Sequence, residues 1–166
     1  IGKALGGGLP LSACLGSREV MDAWPESGGE ALHTSTFLGH PLSCATALAF
    51  LDVLEEENLA AQALDLGDRI VERLSEALST RTDVKQIRGC GLLIGIELCS
   101  QDGEPVVGSG AVVAEAALRQ GLLVLPAGGQ GEVVEIAPPA VSNDAQIDFG
   151  VTCLVETIDE ALSSKG

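Results

Sequence analysis

The rest of this chain is arranged around the stretch KALGGGLP, residues 3–10. It holds one lysine, three consecutive glycines and a closing proline. Glycine permits positive φ and close approach of the backbone, whereas proline fixes φ and removes a hydrogen-bond donor. The stretch therefore predicts a stiff, tight loop whose backbone is accessible.

Lys3 is the only charged residue between Ile1 and Ser17. Its neighbours are apolar, so we expect its amine to be partly removed from water. Such a lysine can form a Schiff base with a carbonyl compound or with pyridoxal phosphate. A solvent-facing lysine beside a glycine-rich turn is the more common meaning of these residues. Both interpretations stay open on this stretch alone.

Composition limits the classes of protein and of partner. The 166 residues suit one domain or two small lobes. Hydrophobic residues make up 46% and aromatic residues 2%, which predicts an aliphatic core. The net charge of −15 argues against nucleic acid and against an anionic membrane surface as partners, because phosphate binding requires Lys and Arg.

Five cysteines are spread along the chain without a CxxC pair. Zinc and redox motifs therefore lack support, and we expect reduced, mostly buried thiols in a cytoplasmic protein. The chain begins with Ile1 and has no initiator methionine, so we expect a piece of a larger protein.

Hydrophobic periodicity predicts alternating helices and strands from about residue 58 onward. Strands are expected at residues 84–88, 92–98, 122–125 and 133–137, and helices at 59–79, 107–120 and 144–163. Before them we expect a strand at 11–15, a helix at 18–24 and a helix from 41 to about 57. Residues 1–57 hold too little apolar surface to close a core alone. The chain therefore divides into the tail of one domain, 1–57, and an α/β domain, 58–166.

Two hydroxyl side chains, Ser35 and Thr36, precede a helix that Pro41 begins. Hydroxyls, backbone N–H groups and the helix dipole suit a phosphate group. The alternative is a capping cluster that satisfies its own backbone. The two histidines, His33 and His40, are each more typical of a loop hydrogen bond than of a metal ligand.

Four motifs in this order resemble those of the class III aminotransferases, which use pyridoxal 5′-phosphate. They are KALGGGLP at 3–10, TFLGHPLSCA at 36–45, IRGCGLLIGIEL at 87–98 and IAPP at 136–139. The resemblance covers nearly the whole chain. It implies an α/β fold, the C-terminal part of the type I pyridoxal-phosphate-dependent transferase fold. Residues 1–57 would be the tail of the large cofactor-binding domain, and 58–166 the small domain.

The resemblance also implies roles for two residues. Lys3 matches the lysine that carries the cofactor as a Schiff base and then moves a proton. Thr36 matches the threonine that reaches the phosphate of the cofactor in the other subunit of a homodimer with shared sites. The implied reaction moves an amino group from an amine or amino acid to a keto acid. An aminomutase, racemase or decarboxylase of the same fold, and a non-catalytic partner-binding fragment, stay open as alternatives.

The family places its other cofactor residues upstream of the lysine, so we expect the 166 residues alone to be inactive. Two positions depart from the family pattern. His40 stands where asparagine is frequent, and Glu135 stands where many members carry an arginine that grips the substrate carboxylate. An ionised carboxylate only accepts hydrogen bonds and cannot take over that role. We interpret Arg88 as structural and expect it not to replace the arginine.

Overall fold

The computed structural model of the chain describes residues 1–29 and 34–163. The chain separates into two compact units, Ile1–Asn58 and Leu59–Gly166. His33 lies outside the described residues. None of the helices in the described ranges is long and apolar enough to cross a membrane.

The described residues of the N-terminal unit form a one-turn 3₁₀ helix and two α-helices. They are the 3₁₀ turn Lys3–Gly6, α1 (Arg18–Met21) and α2 (Pro41–Glu56). Ser17 caps α1, because its hydroxyl accepts a hydrogen bond from Val20 N. Pro41 is the first residue of α2, as expected from its fixed φ and missing donor.

The predicted strand at residues 11–15 is wrong, since these residues have no strand assignment. Ala13 exchanges two backbone hydrogen bonds with Ile1, from Ile1 N to Ala13 O at 2.9 Å and from Ala13 N to Ile1 O at 2.8 Å. One pair of bonds closes the base of a loop but does not make a ladder, so the apolar pattern produces extended backbone only.

The C-terminal unit contains three helices and a four-stranded sheet. In chain order these are α3 (Leu59–Ala77), β1 (Val84–Cys90), β2 (Leu93–Leu98), α4 (Ser109–Arg119), β3 (Leu125–Ala127), β4 (Val133–Ile136) and α5 (Asp144–Ser163). The strand order is β1-β2-β4-β3, and all three strand pairs are antiparallel. The alternation of helices and strands that the sequence predicts is therefore present, in an antiparallel sheet.

The core of this unit is aliphatic and alternates along the strands. Ile94, Ile96 and Leu98 of β2 are almost completely buried, together with Val134 of β4. They join apolar residues of α3, α4 and α5, such as Leu74, in one cluster. Side chains between these positions lie on the opposite face of the sheet, because successive residues of a strand alternate.

Three arginine–aspartate pairs join α3 and the turn after it to α5. They are Arg69–Asp144, Arg73–Asp148 and Arg81–Asp159. The residue numbers rise together in the three pairs, so the two helices run parallel. Arg81 also bonds Asp83, and this hydrogen bond, followed by the charges of the two aspartates, raises the pKa of Arg81.

Candidate functional site

Lys3 has a backbone conformation that lysine rarely adopts. Its φ is 54°, and among the described residues only Asn58 shares a positive φ without being glycine. Asparagine tolerates the left-handed region, whereas for lysine the Cβ crowds the following carbonyl. Such strain costs roughly 1–3 kcal/mol, persists only where the surroundings enforce it, and marks positions to examine for function.

Two glycines and α2 enforce this conformation. Gly6 is buried, and its carbonyl accepts hydrogen bonds from Leu9 N at 3.0 Å and from Thr46 Oγ1 at 2.7 Å. Gly7 has φ 57°, and a Cβ there would lie 2.7 Å from Thr46 O. A side chain at position 7 would therefore push the loop off the helix, which explains the glycines beside the lysine.

The side chain of Lys3 is exposed, so the expected burial among apolar neighbours is wrong for the described residues. The apolar side chains that suggested it do not cover the lysine, since Ile1 is itself 73% exposed. Within residues 1–29 and 34–163 the Lys3 amine has no hydrogen bond or ion pair. The structure thus places an accessible amine on a strained, clamped turn.

Thr36 lies in the turn at residues 36–39, just ahead of α2. The turn is held by hydrogen bonds from Leu38 N to Ser35 O and from His40 N to Phe37 O, each 3.1 Å long. The Thr36 side chain is exposed and has no hydrogen-bond partner in the described part of the chain. Its hydroxyl is therefore free to bind a ligand.

His40 caps α2. Its Nδ1 accepts from Ser43 N at 3.4 Å and lies 3.1 Å from Ser43 Oγ, while the ring of Phe37 meets its ring edge-on at 5.7 Å. The capping role that the sequence left open for Thr36 thus belongs to His40.

Lys3 and Thr36 fit pyridoxal phosphate at two points. Lys3 supplies an amine for an aldehyde, and Thr36 supplies a hydroxyl for a phosphate beside a helix N-terminus. No hydrogen bond joins the two side chains in the described residues, so they form two separate contact points. In the same ranges no three His, Cys, Asp or Glu side chains converge to hold a metal ion.

Glu135 lies in β4 on the face of the sheet opposite Val134. It stands in register with Gly95 on one side and Leu125 on the other. Its side chain is half-buried, and no hydrogen bond or ion pair to it occurs in the described part of the chain. Arg88 is also in register with Gly95, so Arg88 and Glu135 flank a glycine on one face.

Arg88 forms an ion pair with Glu97. Its Nη1 lies 2.5 Å from Glu97 Oε2, and Lys85 Nζ lies 3.0 Å from the other oxygen of the same carboxylate. The hydrogen bonds from Lys85 and then Arg88 lower the pKa of Glu97, and the bond to Glu97 raises the pKa of Lys85. The charged cluster of Lys85, Arg88 and Glu97 was not expected from the sequence. The alternation of Gln86, Arg88 and Cys90 along β1 could have placed Arg88 on the polar face of the sheet.

The C-terminal unit also contains a cavity of about 400 Å³ between α3, α5 and the segment that follows β4. Its described lining is apolar apart from Ser142 and Gln146 and includes no charged side chain. It therefore does not suit a phosphorylated cofactor.

The five cysteines are all unpaired, and Cys99 and Cys153 are buried while Cys14 and Cys90 are exposed, so the expectation of mostly buried thiols is wrong.

Comparison with known proteins identifies the family of this chain. A family model described as "Aminotransferase class-III" matches residues 1–158. The chain belongs to the class-III aminotransferase family. Among curated members, ornithine aminotransferase 1 of Staphylococcus saprophyticus is 38% identical over 164 residues, covering 96% of this chain and 37% of the relative. The 4-aminobutyrate aminotransferase of Escherichia coli K12 is 35% identical over 162 residues, with the same two coverages.

The fold is that of class-III aminotransferase structures. The ornithine aminotransferase of Toxoplasma gondii, in a structure that reports partial occupancy of pyridoxal phosphate at its active site, has a TM-score of 0.78 and 32% identity. It covers 99% of this chain, and the match covers 37% of that enzyme. The chain thus has the mixed α/β fold of part of a type I aminotransferase, and it spans little more than a third of its relatives' length.

Proposed function

We propose that the protein containing this chain is a pyridoxal-phosphate-dependent aminotransferase that moves an amino group from an amine or amino acid to a keto acid. The observation that carries the proposal is Lys3, an accessible amine at φ 54° on a turn clamped by Thr46. The names of the relatives support amino-group transfer over the other reactions of the fold. The cofactor reported for the Toxoplasma gondii enzyme supports pyridoxal phosphate.

When bound, pyridoxal phosphate supplies an aldehyde that condenses with amines and a ring that accepts electrons. In this chain Lys3 Nζ would hold the cofactor. When displaced by the substrate amine, the neutral Lys3 Nζ would take a proton from the substrate carbon as a general base and, as an ammonium, would give it up as a general acid to the cofactor carbon. Thr36 Oγ1 would donate a hydrogen bond to a phosphate oxygen of the neighbouring copy's cofactor, which would orient that cofactor without taking part in proton transfer.

The test is Lys3→Ala in the full-length protein. After incubation with pyridoxal phosphate and borohydride reduction, mass spectrometry should find the cofactor on residue 3 of the unsubstituted protein and nothing there in the variant. Turnover should fall by several orders of magnitude. Lys85→Ala is the matched control, because Lys85 forms an ion pair with Glu97. This variant should keep both the cofactor on residue 3 and the turnover. Turnover at the unsubstituted rate in Lys3→Ala would show the assignment to be wrong.

We further propose a homodimer in which each copy lends Thr36 to its neighbour's cofactor. The proposal rests on the family resemblance and on the Thr36 hydroxyl, which has no hydrogen-bond partner among residues 1–29 and 34–163. If the sites are shared, a mixture of Lys3→Ala and Thr36→Ala should regain activity at a pyridoxal phosphate concentration too low for Thr36→Ala alone to be active. A cytoplasmic location stays a prediction that rests on the unpaired cysteines.

We propose that Glu135 selects substrates with a cationic group in place of a carboxylate. The support is its unpaired, half-buried carboxylate, since one alternative, an ion pair inside the chain, does not occur among the described residues. A like charge placed against it would be rejected by several kcal/mol where both are desolvated. Diamines and other ω-amino compounds therefore fit better than ordinary α-amino acids.

Measuring kcat/KM for a diamine and for an α-amino acid of similar length tests this role. We expect the diamine to be preferred and Glu135→Gln to lower that preference at least about tenfold, equivalent to about 1.4 kcal/mol. Glu156→Gln, an exposed glutamate on α5, should change neither value. If the α-amino acid is preferred and Glu135→Gln leaves that preference unchanged, Glu135 has no part in substrate choice.

A further inference from the structure

Thr46, in the second turn of α2, reaches a carbonyl 40 positions away in the sequence. Its Oγ1 lies 2.7 Å from Gly6 O, against 3.0 Å from Ser43 O and 3.2 Å from Leu42 O. A helical threonine ordinarily bonds the carbonyl three or four residues before it. The hydroxyl has one hydrogen to give, and the shortest contact assigns it to Gly6.

The backbone of Thr46 holds the loop from a second direction. A Cβ at Gly7 would lie 2.7 Å from Thr46 O and 3.1 Å from Thr46 C, so the loop backbone rests directly on the helix backbone. Thr46 therefore fixes both the carbonyl of residue 6 and the position of residue 7.

This contact determines where Lys3 stands. Gly6 ends the single 3₁₀ turn that Lys3 begins, and one isolated turn has little stability of its own. The strained φ of Lys3 must be enforced by neighbours. The turn is bonded to α2 through the Gly6 carbonyl, which accepts a hydrogen bond from Thr46. A reacting group has to be held within about 0.5 Å of its productive position.

We infer that Thr46 is a positioning residue for Lys3, a role that rests on the proposed function. Its hydroxyl holds the Gly6 carbonyl and thereby fixes the turn that presents the lysine amine. Thr46 touches neither substrate nor cofactor in this role, and it acts only through the loop.

The test uses three variants of the full-length protein. Thr46→Val removes the hydroxyl and keeps the branched shape, and Thr46→Ser keeps the hydroxyl. Thr157→Val is the matched control, because the Thr157 hydroxyl bonds Cys153 O within its own helix. One readout is the rate at which pyridoxal phosphate becomes fixed to residue 3, followed by borohydride quenching and mass spectrometry. The other is amide hydrogen exchange of residues 5–9 without cofactor.

Loss of one hydrogen bond of ordinary strength corresponds to roughly a 2- to 10-fold effect. We expect Thr46→Val to slow attachment to residue 3 and to speed exchange of residues 5–9 by about this factor, Thr46→Ser to restore both, and Thr157→Val to change neither. An unchanged attachment rate in Thr46→Val, or a Thr46→Ser variant as slow as Thr46→Val, overturns the positioning role alone. If the unsubstituted protein carries no cofactor on residue 3, the proposed function is wrong and the positioning role falls with it.

Discussion

The two units of this chain differ in what they bury. In the described part of the N-terminal unit only Gly6, Ser43 and Ala47 are buried. The C-terminal unit buries a continuous aliphatic cluster that includes Leu74 and Ile96, both 0% exposed. Lys3 and Thr36 both belong to the unit without such a core. The residues proposed to hold the cofactor and the residues that stabilise the fold are therefore largely separate.

The exposed apolar side chains of α2 make the same point. Leu42, Leu48, Leu51 and Val53 are each between 42% and 64% exposed. At about 100° per residue these side chains lie on different sides of α2, and a helix that is apolar all round is ordinarily buried. We therefore expect the 166 residues alone to associate, and the N-terminal unit to gain order from contacts beyond the described residues.

The largest expected difference is in hydrogen exchange of the isolated 166-residue chain. Amides of β2 and β4 should open only with global unfolding, whose free energy is typically about 5–15 kcal/mol, whereas amides at residues 1–29 should open at a cost near about 1 kcal/mol. Protection factors should thus differ by at least about a thousandfold. A monomeric chain with equal, strong protection in both units contradicts the comparison.

Two leucine truncations give the next largest effect. Leu74→Ala in α3 should destabilise the chain by about 2–5 kcal/mol, because it leaves a cavity in a close-packed core. Leu48 in α2 is 64% exposed, and Leu48→Ala should stay within about 0.5 kcal/mol. Urea unfolding followed by circular dichroism measures both. Equal losses in the two variants would mean that α2 buries Leu48 in solution.

The sequence predicted the C-terminal elements well because each carries its own signal. The 3.6-residue period and the capping residues set α5, and the observed helix Asp144–Ser163 begins directly after the predicted cap, Asn143. The strand predicted at 122–125 starts late, at Leu125. Leu122 N bonds Ala117 O across Gly121, so residue 122 still belongs to the turn that ends α4.

What the sequence could not predict depends on distant partners. The 3₁₀ turn at Lys3 requires Thr46, 40 positions away from Gly6. The pairing of Arg69 with Asp144 requires the packing of two helices, although both residues look like solvated surface in the sequence. The resemblance to a family implies roles for Lys3 and Thr36. Neither the φ of 54° at Lys3 nor the exposure of the Lys3 side chain follows from a motif.

A substitution of Thr36 tests whether function and stability are separable in the N-terminal unit. Thr36→Ala in the full-length protein would remove the proposed hydrogen bond to a charged phosphate, worth about 1.5–3 kcal/mol. Affinity for pyridoxal phosphate should fall roughly 10- to 150-fold, while the unfolding midpoint without cofactor stays unchanged. Thr34→Ala, two residues earlier and also exposed, is the control. Unchanged affinity in Thr36→Ala removes it from the cofactor site.

The smallest expected effect concerns Glu97 in the C-terminal unit. The hydrogen bonds from Lys85 and Arg88 lower its pKa in the folded chain below the ordinary 4.5. The unfolded chain therefore takes up this proton first as the pH falls. The stability that Glu97 contributes is fully present above about pH 4.5 and is lost as the pH drops through its folded pKa.

Glu97→Gln should flatten the loss of stability below about pH 4.5. It should cost less than about 1 kcal/mol at pH 7, because the partners of Glu97 are about half exposed and water screens such pairs. Urea unfolding at several pH values measures the slope. Glu72→Gln, an exposed glutamate on α3, should leave the slope unchanged. The effect should be absent from amides of the N-terminal unit, because they open before the C-terminal unit unfolds. If Glu97→Gln keeps the original acid slope, the cluster orders the polar face of the sheet without stabilising it.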